Sequence, residues 1–498
     1  MWLVLAAALT ATEVTYTPAD AVTFALADAG TYEPERRSYL RYVFTDGKEA
    51  SAAAVSFTLN TAWSRSSVPL KADVVAGGRL VRVELDRLCP KDADLRNAVE
   101  IWEKQASQDG YFYIRQSVTV SAYKADDGKT YTHKWVSTFG GHTILKDGVL
   151  LQGLTKSTAP IQRFDRFIIK SLTQVDGGDY YRLAGIRKST KQGHTDFEKF
   201  LDDHGVDVKR ALELRADRRA AIFKSGVTAK PRAINEVQGL FGVATWTEDI
   251  ADNNLDPKAH PVLTLLNPKF DATEAIALRA NGFCSFALFN AKGELQDVVP
   301  DNIAKDHTIP VPLTARLQPA LSCIRCHSQG KGFRTTRNDV NALLKAAPEG
   351  HLRFDILGDT RRHDQRDVLD ELAGKYRGNL ERLDRGREDY SDATFLATGG
   401  KSVEEASGFV RAIHDRYQED VTPQRACEEL GVIVDEADGL TMLRKLVPAT
   451  SAPGGYEDAR VGFLKAGIAI TRQDFEQVFA DMALRSRQQY EALAKDKK

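Results

Sequence analysis

The pattern of hydrophobic and polar positions predicts helix for much of the N-terminal part of the chain. Residues 13–32 are polar overall and are expected to form an extended arm. From Glu33 to about Trp63 the spacing becomes helical, with Tyr39, Tyr42 and Val43 on one face. The first sixty or so residues are therefore predicted to hold an arm followed by helix.

Strand spacing is found in shorter segments. Val81, Val83 and Leu85 recur at every second position of 79–86, a period that favours a β-strand. The sequence Asp126-Asp127-Gly128 predicts a tight turn within a hairpin. Helical spacing is seen again in 94–107 and across most of 158–222. The N-terminal part is thus predicted to mix helices and strands.

The second half of the chain begins with strand signals and ends with helical ones. The apolar run 283–289 stops at Asn290-Ala-Lys-Gly293, which predicts a strand followed by a turn. After about Asn338 the spacing is helical, and Ser402 with Glu405 has the spacing of a capping box. Thr471 precedes an apolar helical stripe formed by Phe475, Val478, Phe479 and Met482. We therefore expect an α+β fold that is predominantly α.

The strongest chemical signal is Cys323-Ile-Arg-Cys326-His327. The pattern C-x-x-C-H is the attachment motif of a c-type haem, in which the two thiols form thioether links with the haem vinyl groups. Because His327 follows directly, its imidazole can bind the iron as the proximal ligand. One covalent haem c is therefore predicted, bound to Cys323 and Cys326.

Two other kinds of site use part of this motif. A redox dithiol is expected after a strand, at the start of a helix in a βαβ unit. A zinc site needs two further ligands, and the sequence holds no second C-x-x-C and no H-x-x-x-H pattern. Covalent haem is the interpretation that uses all three residues of the motif.

The sixth position of the iron has several candidate ligands. The first methionine after the motif, Met442, is distant in sequence, and Met482 lies on an apolar helical stripe, which favours a role in the core. The histidines considered are His260, His307, His351 and His363. His260 is favoured because Pro261 restricts the chain beside it. An open sixth position is the alternative.

Other residues near the motif or of the same type have simpler predicted roles. Four basic residues flank the motif: Arg325, Lys331, Arg334 and Arg337. They are expected either to pair with haem propionates or to be ordinary surface charges. The remaining cysteines are Cys89, Cys284 and Cys427. They are expected to be isolated core residues, unless two of them form a disulfide.

Length, charge and the motif together suggest how the 498 residues are organised. Residues 1–12 are apolar and resemble the end of a secretory signal peptide, although a basic segment is missing. The predicted parts that follow are an N-terminal α/β region (13–223), a haem c segment (224–340) and a helical C-terminal region (341–498). The net charge of −1 does not indicate nucleic-acid binding. No later run of apolar residues is long enough to predict a transmembrane helix.

Several segments resemble a family of large exported bacterial proteins of the monohaem c-type cytochrome kind. The similar segments are 80–88, 163–167, 225–228 with Arg232, 260–262, 274–283 and 415–431, and 321–327 is the closest match. Members often have a histidine just before the segment that corresponds to Glu274, and here 270–273 contains none. The resemblance implies one C-x-x-C-H motif late in a mixed α/β region, a helical C-terminal region, and His260 as the better-placed sixth ligand.

The function expected from the sequence is one-electron transfer by an exported protein, since haem c is attached outside the bacterial cytoplasm. The protein would be periplasmic or otherwise extracytoplasmic, and it would exchange electrons with a redox partner protein. The alternatives are a peroxidase-like haem enzyme and a redox or gas sensor, both of which need an open sixth position. An electron carrier is expected to have a six-coordinate iron that does not bind carbon monoxide.

Overall fold

The computed structural model describes residues 18–107, 115–124, 130–139, 146–174, 178–214, 220–222, 232–250, 270–298, 317–327, 380–430, 435–449 and 458–495. Helix outweighs strand among these residues, so the predicted α+β, predominantly α class is confirmed. Within the same ranges, no helix combines the length and the apolar character needed to cross a membrane.

The N-terminal part packs helices around a small sheet. Its helices are α1 (Pro18–Gly30), α2 (Pro34–Arg37), α3 (Glu49–Thr58), α4 (Leu85–Leu88), α5 (Asp92–Ser107), α6 (Lys146–Thr155), α7 (Phe164–Leu172), α8 (Tyr180–Ala184), α9 (Asp196–Asp203) and α10 (Val208–Leu214). Its strands are β1 (Leu40–Phe44), β2 (Asp73–Val75), β3 (Leu80–Glu84), β4 (Arg115–Lys124), β5 (Thr130–Phe139) and β6 (Ile161–Arg163). The sheet order is β2-β3-β1-β6, with β1 and β6 parallel, while β4 and β5 form a separate antiparallel pair.

Several predictions for this part are confirmed. Strand β3 lies within 79–86, and helix α5 covers 94–107. The helical prediction for 158–222 is confirmed only in part, because α7, α8, α9 and α10 lie in this range but Ile161–Arg163 and Ala220–Ile222 are strands. Strands β4 and β5 pair as the predicted hairpin requires. The turn predicted at Asp126–Gly128 lies outside the described residues.

Residues 18–30 form helix α1, so the prediction of an extended arm for 13–32 is wrong over this range. The buried side of α1 includes Ala21, Ala25 and Ala29, which recur at one-turn spacing and are almost fully buried. Val22, Phe24 and Leu26 place further apolar side chains on other sides of the helix, so the segment shows no clear helical stripe. The Tyr42 hydroxyl fixes this helix on β1 by donating to Asp28 Oδ2 at 2.8 Å.

The helix predicted from Glu33 to Trp63 is interrupted by β1, and that part of the prediction is wrong. Tyr42 and Val43 lie on opposite faces of the strand, and both are fully buried. A strand that is covered on both faces shows a continuous apolar run, which periodicity alone does not distinguish from a helix. The later part of the prediction is confirmed, since α3 continues as a π-helical turn over Leu59–Trp63.

A second sheet follows the N-terminal part. Its strands are β7 (Ala220–Ile222), β8 (Arg232–Gly239), β9 (Gly242–Ile250), β10 (Phe270–Leu278) and β11 (Cys284–Asn290), arranged in the antiparallel order β11-β10-β9-β8-β7. Strand β11 and the turn closed by the Gly293 N–H to Asn290 O hydrogen bond confirm the prediction for 283–293. One face of the sheet packs on α9, where the Phe197 ring meets Trp246 and Phe289 edge-on.

The helices that follow form most of the remaining described chain. They are α11 (Leu321–Cys326), α12 (Leu380–Thr398), α13 (Val403–Gln418), α14 (Pro423–Glu429), α15 (Glu436–Leu446), α16 (Ala459–Lys465) and α17 (Arg472–Lys495). The predicted capping box at Ser402 and Glu405 is confirmed at the start of α13. Thr471 Oγ1 accepts from the Asp474 N–H, and the stripe from Phe475 to Met482 is buried, as predicted.

A glycine allows the second sheet to approach α12 closely. The turn between β10 and β11 places Gly282 at φ +76°, in the left-handed region. A Cβ atom at this position would lie 2.7 Å from the Ala393 Cβ atom. Both the backbone conformation and the contact therefore require glycine here.

A buried ion network joins the N-terminal part to the C-terminal helices. Arg163 at the end of β6 donates to Glu429 at 2.7 Å and to Glu476 at 2.6 Å. Arg472 donates to Glu429 at 2.7 Å, and Arg166 donates to Glu476 at 2.6 Å. We call these five residues the arginine–glutamate network. Its side chains are 15 % exposed or less, so each charge is stabilised mainly by the opposite charges of the network and little by water.

Candidate functional site

The C-x-x-C-H motif lies on helix α11 and at its C-terminal end. The Ile324 N–H bonds to Ala320 O at 2.7 Å, and the His327 N–H bonds to Cys323 O at 2.8 Å, so helical bonding extends to the histidine. Positions 323, 326 and 327 therefore share one face of the helix, within roughly 100° of arc. The residue before the helix, Ala320, has φ +60°, which turns the chain sharply into the motif.

Cys323 is buried against the second sheet. Its thiol lies 3.5 Å from Glu274 Oε1 on β10, within reach of a weak S–H···O hydrogen bond. The other carboxylate oxygen, Glu274 Oε2, accepts from Arg232 Nη1 on β8 at 3.3 Å. Arg232 also binds both oxygens of Asp249 on β9. The motif therefore meets a charged part of the sheet and not a wholly apolar wall.

Two tyrosines of α8 cover the edge of the same sheet. The Phe286 N–H donates to the Tyr180 hydroxyl at 2.9 Å, and the Leu288 N–H donates to the Tyr181 hydroxyl at 3.1 Å. Burial raises the pKa of Tyr181 well above its ordinary value, and the nearby Cys323 adds to this rise. Both phenols therefore stay neutral and satisfy edge N–H groups that would otherwise have no partner in the sheet.

On its other side α11 is tied to the C-terminal region. Arg325 Nη1 donates to Asp415 Oδ1 on α13 at 2.6 Å, and the arginine side chain is 1 % exposed. The expectation of ordinary surface charge is therefore wrong for Arg325, because its side chain is buried. A guanidinium group at this depth is stabilised by a carboxylate partner, which here is Asp415. The other basic residues of the flank, Lys331, Arg334 and Arg337, lie outside the described residues.

The residues present fit a haem c. Attachment needs two thiols and an imidazole that approach the cofactor from one side, and the one-face arrangement of positions 323, 326 and 327 meets this need. Cys323 is 3 % exposed and lies among core residues, and His327 is half-buried. A bound haem c would supply a one-electron couple at this position.

The remaining predicted site residues fall into two groups. Cys89, Cys284 and Cys427 are buried, and none of these three is in a disulfide, which confirms their predicted place in the core. Met482 is also fully buried, in keeping with its predicted core role. The histidines considered as sixth ligands, His260, His307, His351 and His363, lie outside the described residues.

The charged partners of the motif are not evident from the sequence pattern. Glu274 carries a signal in hindsight, because it falls in register with the apolar positions Ala272, Ile276 and Leu278 along one face of β10. A charged residue at such a position needs a special partner. Asp249 and Asp415 carry no comparable signal, since their partners are distant in sequence.

Comparison with known proteins found no matching family model, no matching curated protein and no matching solved structure.

Proposed function

We propose that this protein is an exported monohaem c-type protein that transfers single electrons. Haem would be bound covalently through Cys323 and Cys326, with His327 as the proximal iron ligand. The observation that carries the proposal is the helical placement of the whole motif, which puts its three positions on one face of α11. No element of this proposal requires bond-making chemistry at the iron after the haem has been attached.

The surroundings of α11 support a carrier. The helix lies beside Glu274 of the second sheet on one side and is tied by the Arg325–Asp415 pair on the other. A site held between two packed elements keeps its geometry when its charge changes, which suits fast electron exchange. The burial of Cys323 also keeps water away from part of the site, and burial is one of the properties that set a haem potential.

The partner is expected to be a protein that gives or takes one electron at a time. Because haem c is attached outside the bacterial cytoplasm, the exchange would take place in the periplasm or another extracytoplasmic compartment. The haem would supply the redox chemistry, and the protein would contribute orientation, burial and hydrogen bonding.

The first experiment is expression in a host that matures c-type cytochromes, followed by a pyridine haemochrome assay on denatured protein. We expect one covalent haem per chain, and we expect its loss in the variant Cys323→Ser/Cys326→Ser. Cys89→Ser is the matched control, because this buried cysteine donates to the Trp63 carbonyl oxygen and serine can do the same. Wild-type protein without covalent haem would overturn the proposal.

Spectra of the oxidised and reduced protein, with and without carbon monoxide, then test the carrier role. A low-spin reduced spectrum that carbon monoxide does not change supports electron transfer. In that case His260→Ala should open the sixth position and create a response to carbon monoxide. A high-spin wild-type spectrum that shifts with carbon monoxide would refute the carrier and favour a haem enzyme or a sensor.

A further inference from the structure

Helix α12 presents two large apolar side chains to solvent. Phe395 and Leu396 are each more than half exposed, while the other side of the helix packs on α3, α13 and β9. Three exposed carboxylates, those of Glu388, Asp389 and Asp392, precede them by one or two turns. None of these carboxylates forms an ion pair with another residue of the described ranges. We call these five residues the α12 patch.

A second exposed apolar patch lies where α16 meets α15. Phe463 and Ile468 are each half exposed or more, and the Ile468 N–H donates to Phe463 O at 2.9 Å, which holds the two residues side by side. Arg444 of α15 donates through Nε to Lys465 O at 2.7 Å, so its guanidinium group lies beside the apolar pair. Lys445 follows, and both cations are exposed. We call Phe463, Ile468, Arg444 and Lys445 the α16 patch.

We propose that the α12 patch of one molecule docks on the α16 patch of a second copy of this chain. Each patch joins an apolar pair to charges of one sign, and the two signs are opposite. A contact between them therefore buries apolar area and brings carboxylates next to cations. Two copies of the same patch would place like charges against each other, which opposes a symmetric contact.

The association is head-to-tail, because the two patches are different surfaces of the molecule. The α12 patch belongs to a helix that packs on α3, α13 and β9, whereas α15 and α16 pack on each other and on α17. Both patches are exposed in the structure, so neither covers the other within one chain. Each molecule can therefore bind one neighbour through each patch, whether or not it carries haem.

The position of the charges on α15 supports this choice of partner. Its acidic residues, Asp435, Glu436 and Asp438, lie at the beginning of the helix, and Arg444 and Lys445 lie at its end. The end of α15 that adjoins α16 is therefore basic and complements the carboxylates of α12. Because each patch offers two large apolar side chains, the contact is small and the association is expected to be weak and dependent on concentration.

The test is analytical ultracentrifugation of the full chain over a range of protein concentrations, at low and high salt. The mean mass of the wild type should rise with concentration, and less steeply at high salt because the charges are screened. Phe395→Ser/Leu396→Ser and Phe463→Ser/Ile468→Ser should each remain monomeric. An equimolar mixture of these two variants should form a dimer and nothing larger, since one intact patch of each kind remains.

The charges are tested separately by Arg444→Glu/Lys445→Glu, which leaves both apolar pairs in place and should associate less than the wild type at low salt. This variant also decides the matter if circular dichroism shows that a serine variant is misfolded. The matched control is Val68→Ser/Val74→Ser, which removes two exposed apolar side chains outside both patches and should associate like the wild type.

A wild type that stays monomeric at every concentration would overturn the proposal and favour a different protein as the partner of these patches. Association like that of the wild type in either serine variant, or in the charge variant, would also overturn it. A mixture of the two serine variants that forms no dimer would refute the head-to-tail arrangement.

Discussion

Replacing Glu429 by glutamine tests the arginine–glutamate network that joins β6 and α7 to the C-terminal helices. The carboxylate of Glu429 accepts from Arg163 Nη1 and from Arg472 Nη2, each at 2.7 Å. Glutamine has nearly the same shape and keeps an acceptor, but it removes the negative charge that two buried guanidinium groups share. The substitution therefore isolates the electrostatic contribution of the network.

The size of the effect follows from the pKa of the carboxyl group. Burial alone would raise the pKa of Glu429, but Arg163 and Arg472 outweigh it and lower the pKa from an ordinary value of 4.5 to about 2. A fall of this size corresponds to about 3 kcal/mol of folding free energy at neutral pH. Because the folded-state pKa is the lower one, this contribution is complete well above 4.5 and is lost as pH falls towards 2.

The assay is urea unfolding at a series of pH values, followed by circular dichroism and by fluorescence, with Glu428→Gln as the control. Glu428 pairs with Arg416, whose side chain is 53 % exposed, so its replacement should cost less than about 1 kcal/mol. Glu429→Gln should lose about 3 kcal/mol at neutral pH, and this loss should be roughly halved by about pH 3.

Equal unfolding midpoints for the two variants at neutral pH would refute the reasoning. A loss in Glu429→Gln that stays constant on acidification would also refute it, because the wild-type carboxylate must become protonated and resemble the variant. Either result would mean that the network arginines are stabilised by other groups and that Glu429 adds little.

Three further substitutions test other parts of the fold. Asp415→Asn removes the charge paired with Arg325 and should lower the free energy of unfolding by about 2 kcal/mol, measured by urea titration; an unchanged midpoint would contradict it. Ser402→Ala removes the capping box with Glu405 and should cost about 1 kcal/mol, whereas Ser402→Thr should retain most of it. Met482→Ala should cost about 3 kcal/mol through a core cavity, without altering the haem spectrum; a spectral change would instead indicate iron ligation.

The elements that the sequence predicts well are those marked by a local signal, such as a capping residue, a turn or an apolar stripe. The stripe of α17 and the capping box of α13 follow local rules that involve neighbours within one or two turns. Two elements, α1 and β1, were predicted wrongly for a physical reason. Helix α1 has apolar residues on more than one side, and β1 is covered on both faces, so neither element shows a clear period in its apolar residues.

The candidate site divides in the same way. The motif itself is local, and the i, i+3, i+4 spacing of its residues already implies one face of a helix. Its partners are not local: Glu274 is 49 positions before Cys323, and Asp415 is 90 positions after Arg325. Such pairs depend on which elements become neighbours, and single-sequence periodicity carries no information about that choice.

The contrast between the local motif and its partners that are distant in sequence has a consequence for function. In the proposed haem protein, attachment would depend on the local motif, whereas the charges that surround it are placed by the sheet on one side and by α13 on the other. Substitutions at Glu274 or Asp415 should therefore alter the midpoint potential of a bound haem while leaving the thioether bonds intact. Substitutions within the motif should abolish attachment. In the proposed haem protein, residues far from the motif in sequence would therefore tune the midpoint potential.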